Sequence, residues 1–267
     1  MKPIRSIRHA GQAGFTLVEV LISMSIVVVA LGLAMSTFLF GLRSMYKNTQ
    51  RLASDGALRN FMTQISDETL NASFYYLFPY YTSLDGSVNL ATDPVVPTQA
   101  YNNANDQYDQ WIAHGDCLVL ITKTSLYRNT DIRQIRVYYR VTKDQSTTSG
   151  QNLNSEAVLR YYETSDWGEG TSSTSNSHPL SGLATELNAI NLNSNAALAG
   201  SRQLNPRSLG RMNPASSTDR FPIFSTLSPS ATPTTGCISI NVEFVNGTTA
   251  NSMLSSSSFN YTISPRK

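Results

Sequence analysis

Few residues of this chain are typed and spaced to do chemistry. Glu19 is the single carboxylate in an otherwise apolar run that begins at Phe15, directly after Gly14 and a basic leader. A charge near the start of a membrane-length apolar helix is costly, so it reads as functional and in need of a partner. Cys117 and Cys237 are the two thiols, and an even pair in an oxidising compartment can form a disulfide. Two free thiols in separate strands is the plainer alternative. His114, Asp116 and Cys117 are near neighbours, with Asp106 and Asp109 just upstream. A nucleophilic Cys117 would need a histidine placed in space, which adjacency does not supply. Asp106 and Asp109 with nearby carbonyl or amide oxygens could hold calcium, an ion that prefers hard oxygen ligands. No paired ligand motif accompanies them, and an ordinary polar loop explains them as well. Gly168-Glu169-Gly170 is not a phosphate-binding motif, and His178 lies in a Ser-rich stretch where solvation is expected. No catalytic constellation, resident cofactor or metal is expected, so the chain is not read as an enzyme.

The elements around Glu19 are more informative. Residues 1–14 contain Lys2, Arg5, Arg8 and His9 and no acid, the flank expected on the cytoplasmic side of a first membrane segment. From Val20 to Leu42 there is no charge. That run of about 23 residues would rise roughly 35 Å, enough to cross a hydrocarbon core of about 30 Å. An ordinary secretory signal places its small-residue cleavage site after the apolar region. Here Gly14 precedes it, so cleavage would remove the leader and keep the helix.

Gly14-Phe15-Thr16-Leu17-Val18-Glu19-Val20-Leu21-Ile22 resembles the N-terminal motif of type IV pilins and of the pseudopilins of type II secretion. The resemblance implies that a prepilin peptidase cuts after Gly14 and methylates the new N-terminus at Phe15. It also implies that Glu19 neutralises the N-terminal amine of a neighbouring subunit. The implied partners are that peptidase, other pilin or pseudopilin subunits and the bacterial inner membrane. The leader would be cytoplasmic and the C-terminal domain extracytoplasmic, before the subunit enters a filament. The family also carries its helix beyond the membrane. Leu58, Phe61, Met62 and Ile65 fall at helical spacing, and no proline occurs between Pro3 and Pro79. Many major pilins have a helix-breaking proline in the apolar half, and this chain does not. Gly32 and Gly41 are the weak points there, each costing about 1 kcal/mol relative to alanine.

The expected organisation is a leader at 1–14, a long helix at 15–71 with its transmembrane part at 15–42, and an extracytoplasmic β-rich domain at 72–267. The whole chain carries net charge +2. Without Lys2, Arg5 and Arg8, 17 basic side chains face 18 acidic ones. A near-neutral domain has no electrostatic footprint for nucleic acid, so no specific nucleic-acid partner is expected.

The aromatic cluster Phe74–Tyr81 is expected to pack the domain onto the helix, with a sugar- or nucleic-acid platform as the alternative. Residues 82–112 read as loop. Strands are expected at Cys117–Thr122, Ile132–Val141, Ala157–Tyr162 and Phe221–Leu227, then at Gly236–Val245 and Phe259–Ile263. Ile135, Val137, Tyr139 and Val141 would line the buried face of the second strand, leaving Arg136, Tyr138 and Arg140 outside. Cys237 would fall on the polar-alternating face of its strand. Leu183–Leu198 has helical character, Thr171–Ser177 is polar low complexity, and Asn246-Gly247 is a turn signal. The sum is an α+β fold, a long N-terminal helix on a mainly antiparallel sheet. The hairpin from Ile132 to Tyr162 resembles that of large minor pilins and the J-type minor pseudopilin. The function expected is thus a minor pilin or pseudopilin. The alternative is a membrane-anchored protein that binds sugar or DNA.

Overall fold

A computed structural model describes residues 15–84, 86–102, 107–123, 131–142, 157–167, 178–190, 192, 201–210, 222–228, 236–246 and 255–263. Helix α1 runs Leu17–Asn71, 55 residues. Its sequence has no proline and few β-branched residues after Val29, so intrinsic propensity favours continuation. The chain forms two compact units, one ending at Leu52 and one beginning at Ala53.

In the first unit the helix is apolar on all sides from Val20 to Leu42. Leu21, Ile22, Val28, Leu31 and Phe38 are each more than half exposed. A helix apolar all round buries itself in protein or in lipid. None of the span Leu17–Thr49 is buried in the protein, and it is long and apolar enough to cross a membrane. The second unit begins with the last turns of α1, where the pattern changes to one apolar stripe. Phe61, Met62 and Ile65 are buried there, with Leu58 packed beside them.

Among the described residues, ten antiparallel strands complete the second unit: β1 Phe74–Phe78, β2 Thr98–Asn102, β3 Gln107–Gly115, β4 Cys117–Lys123, β5 Ile132–Thr142, β6 Ala157–Glu163, β7 Arg202–Gly210, β8 Phe224–Ser228, β9 Cys237–Asn246 and β10 Ser255–Ile263. Their order is β1-β4-β5-β6-β7-β9-β8-β3-β2, with β10 added on β9. The β5–β6 hairpin pairs Val137 with Tyr162 and Tyr139 with Arg160. The apolar stripe of α1 packs with Tyr75, Leu77, Leu118, Leu120, Tyr138 and Tyr161, and with Phe224, Ile238 and Ile240. The opposite face of β1, β4 and β5 buries Cys117, Val119, Ile121, Ile135, Val137 and Tyr139 under helix α2, Leu183–Ile190.

Strand β5 is therefore covered on both faces, where alternation predicts one wet face. Tyr138 and Arg140 are fully buried. Tyr138 stands edge-on to Phe61, with centroids 6.1 Å apart. It donates to Glu68 at 2.6 Å, and Tyr161 donates to the other oxygen at 3.0 Å. Arg136 lies 3.7 Å from the same carboxylate. These side chains alternate as polar by type, yet α1 covers them.

Other expectations change as well. Residues 82–112 contain β2 and β3, and β3 pairs with both β2 and β8. Strand β7 forms in a segment whose Asn and Pro content argues against one; its pairing with β6 is interrupted by register shifts. Such shifts are how a strand accommodates unsuitable residues. His178 is not simply solvated: it stacks on Trp167 at 3.8 Å, and its Nδ1 lies 2.8 Å from Glu186. Thr171–Ser177 and the glycine of Asn246-Gly247 lie outside the described residues.

The corner between β3 and β4 joins the two arms of the sheet. A Cβ on Gly115 would lie 2.3 Å from the Phe78 carbonyl oxygen, so only glycine fits. Asp116 follows, 1% exposed, with Arg140 at 0%. One Asp116 carboxylate oxygen accepts from Arg140 at 3.3 Å, the other from the Ile223 N–H at 2.9 Å. The Asp116 backbone also bonds Pro79 and Arg140. Burial pushes the Asp116 carboxyl up, opposed by the Arg140 charge and the Ile223 N–H.

Removing one partner of a buried pair strands the other charge. Asp116→Ala should cost about 3–5 kcal/mol of unfolding free energy. Denaturant titration of the full chain in detergent reads this, and the double change Asp116→Ala with Arg140→Met should recover most of it.

Candidate assembly site at the helix N-terminus

The first turn of α1 is closed by a reciprocal hydrogen-bond pair. Thr16 stands at the N-cap position, before Leu17, and Glu19 three residues later. The Glu19 N–H donates to Thr16 Oγ1 at 3.3 Å. In return the Thr16 N–H donates to Glu19 Oε2 at 3.1 Å, and its hydroxyl donates to the same oxygen at 3.2 Å. This is a capping box, which satisfies donors that the first helical turn leaves unpaired. The positive end of the helix dipole also favours a carboxylate here.

Both recorded contacts fall on Oε2. Glu19 Oε1 has no partner among the described residues, so the carboxylate keeps an oxygen for an outside donor. Phe15 is 85% exposed. Phe15, Val20, Ser23, Met24, Val27 and Val28 line an open groove of about 400 Å³ around Glu19. The site is thus an anion at the mouth of an apolar groove on a helix segment that no other described residue of its unit covers. Chemically it can accept a hydrogen bond from a cation and bury hydrocarbon; it has no nucleophile or acid–base pair.

Thr16 was not expected as a contributor. The signal was available in the Ser/Thr-x-x-Glu spacing that marks capping boxes. Gly14, the other half of the expected cleavage pair, lies outside the described residues, and Phe15 is the first described one.

Cys117 and Cys237 are not brought together. Both thiols are free. Cys117 belongs to the cluster under α2. Cys237 lies near Tyr75, whose hydroxyl is pushed up to about 12 by burial and then by the Cys237 charge. Tyr75 belongs to the cluster against α1. Strands β4 and β9 are not neighbours in the sheet, so of the two alternatives the structure holds the pair of free thiols. Burial, with the Asp116 charge second, also raises Cys117 well above the usual thiol range.

His114 lies in β3, and burial lowers it. Asp116 is committed to Arg140 and Ile223, so the trio with Cys117 is structural. Asp106 lies outside the described residues, and Asp109 falls in β3 with its side chain undescribed. No group of three metal-ligating side chains forms among the described residues. The aromatic cluster is spent on packing: Tyr75, Leu77, Phe78 and Tyr81 are all fully buried.

A long apolar N-terminal helix, a capped carboxylate in its first turn and an antiparallel sheet define an α+β protein with a pilin-like layout, its helix long and apolar enough to cross a membrane. Residues 9–35 match the family described as the prokaryotic N-terminal methylation motif. The match supports the type IV pilin and pseudopilin family for this chain, and points to a structural subunit rather than an enzyme. The motif implies processing by a prepilin peptidase and assembly with other pilins. No curated protein and no solved structure matches the chain.

Two measurements check the site. Thr16→Ala should weaken the first turn by about 1 kcal/mol. It would be seen as roughly fivefold faster exchange of the first-turn amides. Thiol titration without reductant should find two reactive thiols in denaturant and leave Cys117 unmodified in the folded chain; a bridged pair would give none in either state.

Proposed function

We propose that the chain is a minor pilin or pseudopilin, a structural subunit of a type IV pilus or type II secretion pseudopilus. The leader 1–14 stays cytoplasmic, and residues 72–267 form the extracytoplasmic domain. Prepilin peptidase cuts after Gly14, and the amine of Phe15 is methylated. The subunit waits in the inner membrane and passes into a filament in the periplasm or at the cell surface.

The observation that carries this reading is the Glu19 carboxylate, held by Thr16 through one oxygen and open at the other. Cleavage creates an ammonium at Phe15. On a neighbouring subunit, that ammonium is the donor the open oxygen lacks. Within hydrocarbon, each charge is expensive alone and much cheaper as a hydrogen-bonded pair. The cap fixes the rotamer of Glu19 before the neighbour arrives, which lowers the entropy cost of pairing. Apolar contacts along Val20–Leu42 then supply most of the packing, while the ammonium–carboxylate pair sets the axial register. The large Ser- and Asn-rich domain and the proline-free helix favour a minor over a major subunit.

Glu19→Ala tests the register role. The variant should insert in the membrane as the natural chain does, yet its yield in sheared filaments should fall at least tenfold. Normal incorporation would remove Glu19 from assembly.

A further inference from the structure

Just past the membrane-length run, α1 carries Arg43, Lys47 and Arg51. Successive spacings of four place all three along one stripe of the helix. Arg43 and Lys47 are exposed, and neither has an ion-pair partner among the described residues. The sequence contains no acid between Glu19 and Asp55, so the first carboxylate along this stripe comes only after its three basic residues.

Basic residues at this end are awkward for insertion. Arg43, Lys47 and Arg51 equal in number the leader's Lys2, Arg5 and Arg8. Positive charge resists transfer to the far side of the membrane, so a far-side cluster works against the helix's orientation. Depth supplies a reason for keeping it. Arg43 directly follows Leu42, the last residue of the uncharged run. Lys47 is about 6 Å further along and Arg51 about 12 Å. The headgroup layer on each side of the hydrocarbon is about 5–7 Å thick. Arg43 and Lys47 therefore fall at headgroup depth, and the Arg51 position follows one helical turn further out. Tyr46 lies at the same depth and is 64% exposed, matching the aromatic residues that mark membrane interfaces.

We propose that Arg43, Lys47 and Arg51 form a docking stripe for anionic phospholipid headgroups in the leaflet where α1 emerges, holding the helix at fixed depth. The occupant follows from charge complementarity and from continuity with the membrane span: a phosphate-bearing lipid surface is the anion that must lie beside these residues. Each basic residue near such a surface contributes about 1 kcal/mol, or roughly fivefold in local enrichment. The stripe would retain the subunit in the membrane until filament contacts replace the lipid. The proposal rests on the assembly reading only for insertion of α1.

The test uses the full chain with Tyr46→Trp in mixed vesicles of phosphatidylcholine and phosphatidylglycerol. Bromine is placed on the acyl chains of one lipid or the other. Quenching of the introduced indole is taken as the difference from the chain that keeps Tyr46. Brominated phosphatidylglycerol should quench about two- to fivefold more per mole than brominated phosphatidylcholine. The preference should vanish in molar salt, where screening acts within about 3 Å, and in the triple variant Arg43→Gln, Lys47→Gln, Arg51→Gln. Equal quenching by the two lipids with the stripe intact would overturn the proposal and leave insertion standing. Quenching by neither would overturn insertion as well.

Discussion

A carboxylate in hydrocarbon must be met by donors, and among the described residues Glu19 is met through one oxygen, by the N–H and hydroxyl of the capping Thr16. That half-satisfied state is stable at the helix end because the first-turn N–H groups and the dipole favour a negative charge there. It also leaves the charge open to a second partner.

The same helix serves two environments through its change of pattern. Up to Leu42 it is apolar all round, as lipid requires. From Leu58 onward only one stripe is apolar, and that stripe enters the protein core with Phe61, Met62 and Ile65. Glu68 completes the seam by accepting from Tyr138 and Tyr161. Burial and the neighbouring carboxylates both push these two tyrosines up, so they remain donors over the working pH range. Within the globular unit, Gly115 and Asp116 pin the corner where β3 passes into β4, one by close backbone approach and the other by its buried bond to Arg140.

Much of this was legible in the sequence because the strongest signals are long and periodic. The uncharged run after Glu19 and the alternation in β5 and β9 correspond to a helix and two strands, and β5 pairs with β6 as expected. What stayed hidden depends on contacts between distant segments. Tyr138 and Arg140 look solvent-facing by alternation, and only the return of α1 and the Asp116 corner covers them. Strand β7 carries Asn205 and Pro206, and its neighbours rather than its own propensity hold it in the sheet. The cysteines share a sheet, as read, but they sit on strands that are not neighbours in it. Thr16 is legible in the Ser/Thr-x-x-Glu spacing that marks a capping box.

The central claim is that the chain enters a filament as a processed subunit with its helix intact. The most direct measurement is the mass of the N-terminal peptide recovered from sheared filaments. The account predicts a chain that begins at Phe15 and carries one methyl group on its amine. A chain confined to the membrane fraction and beginning at Met1, in cells with an active prepilin peptidase, would contradict it.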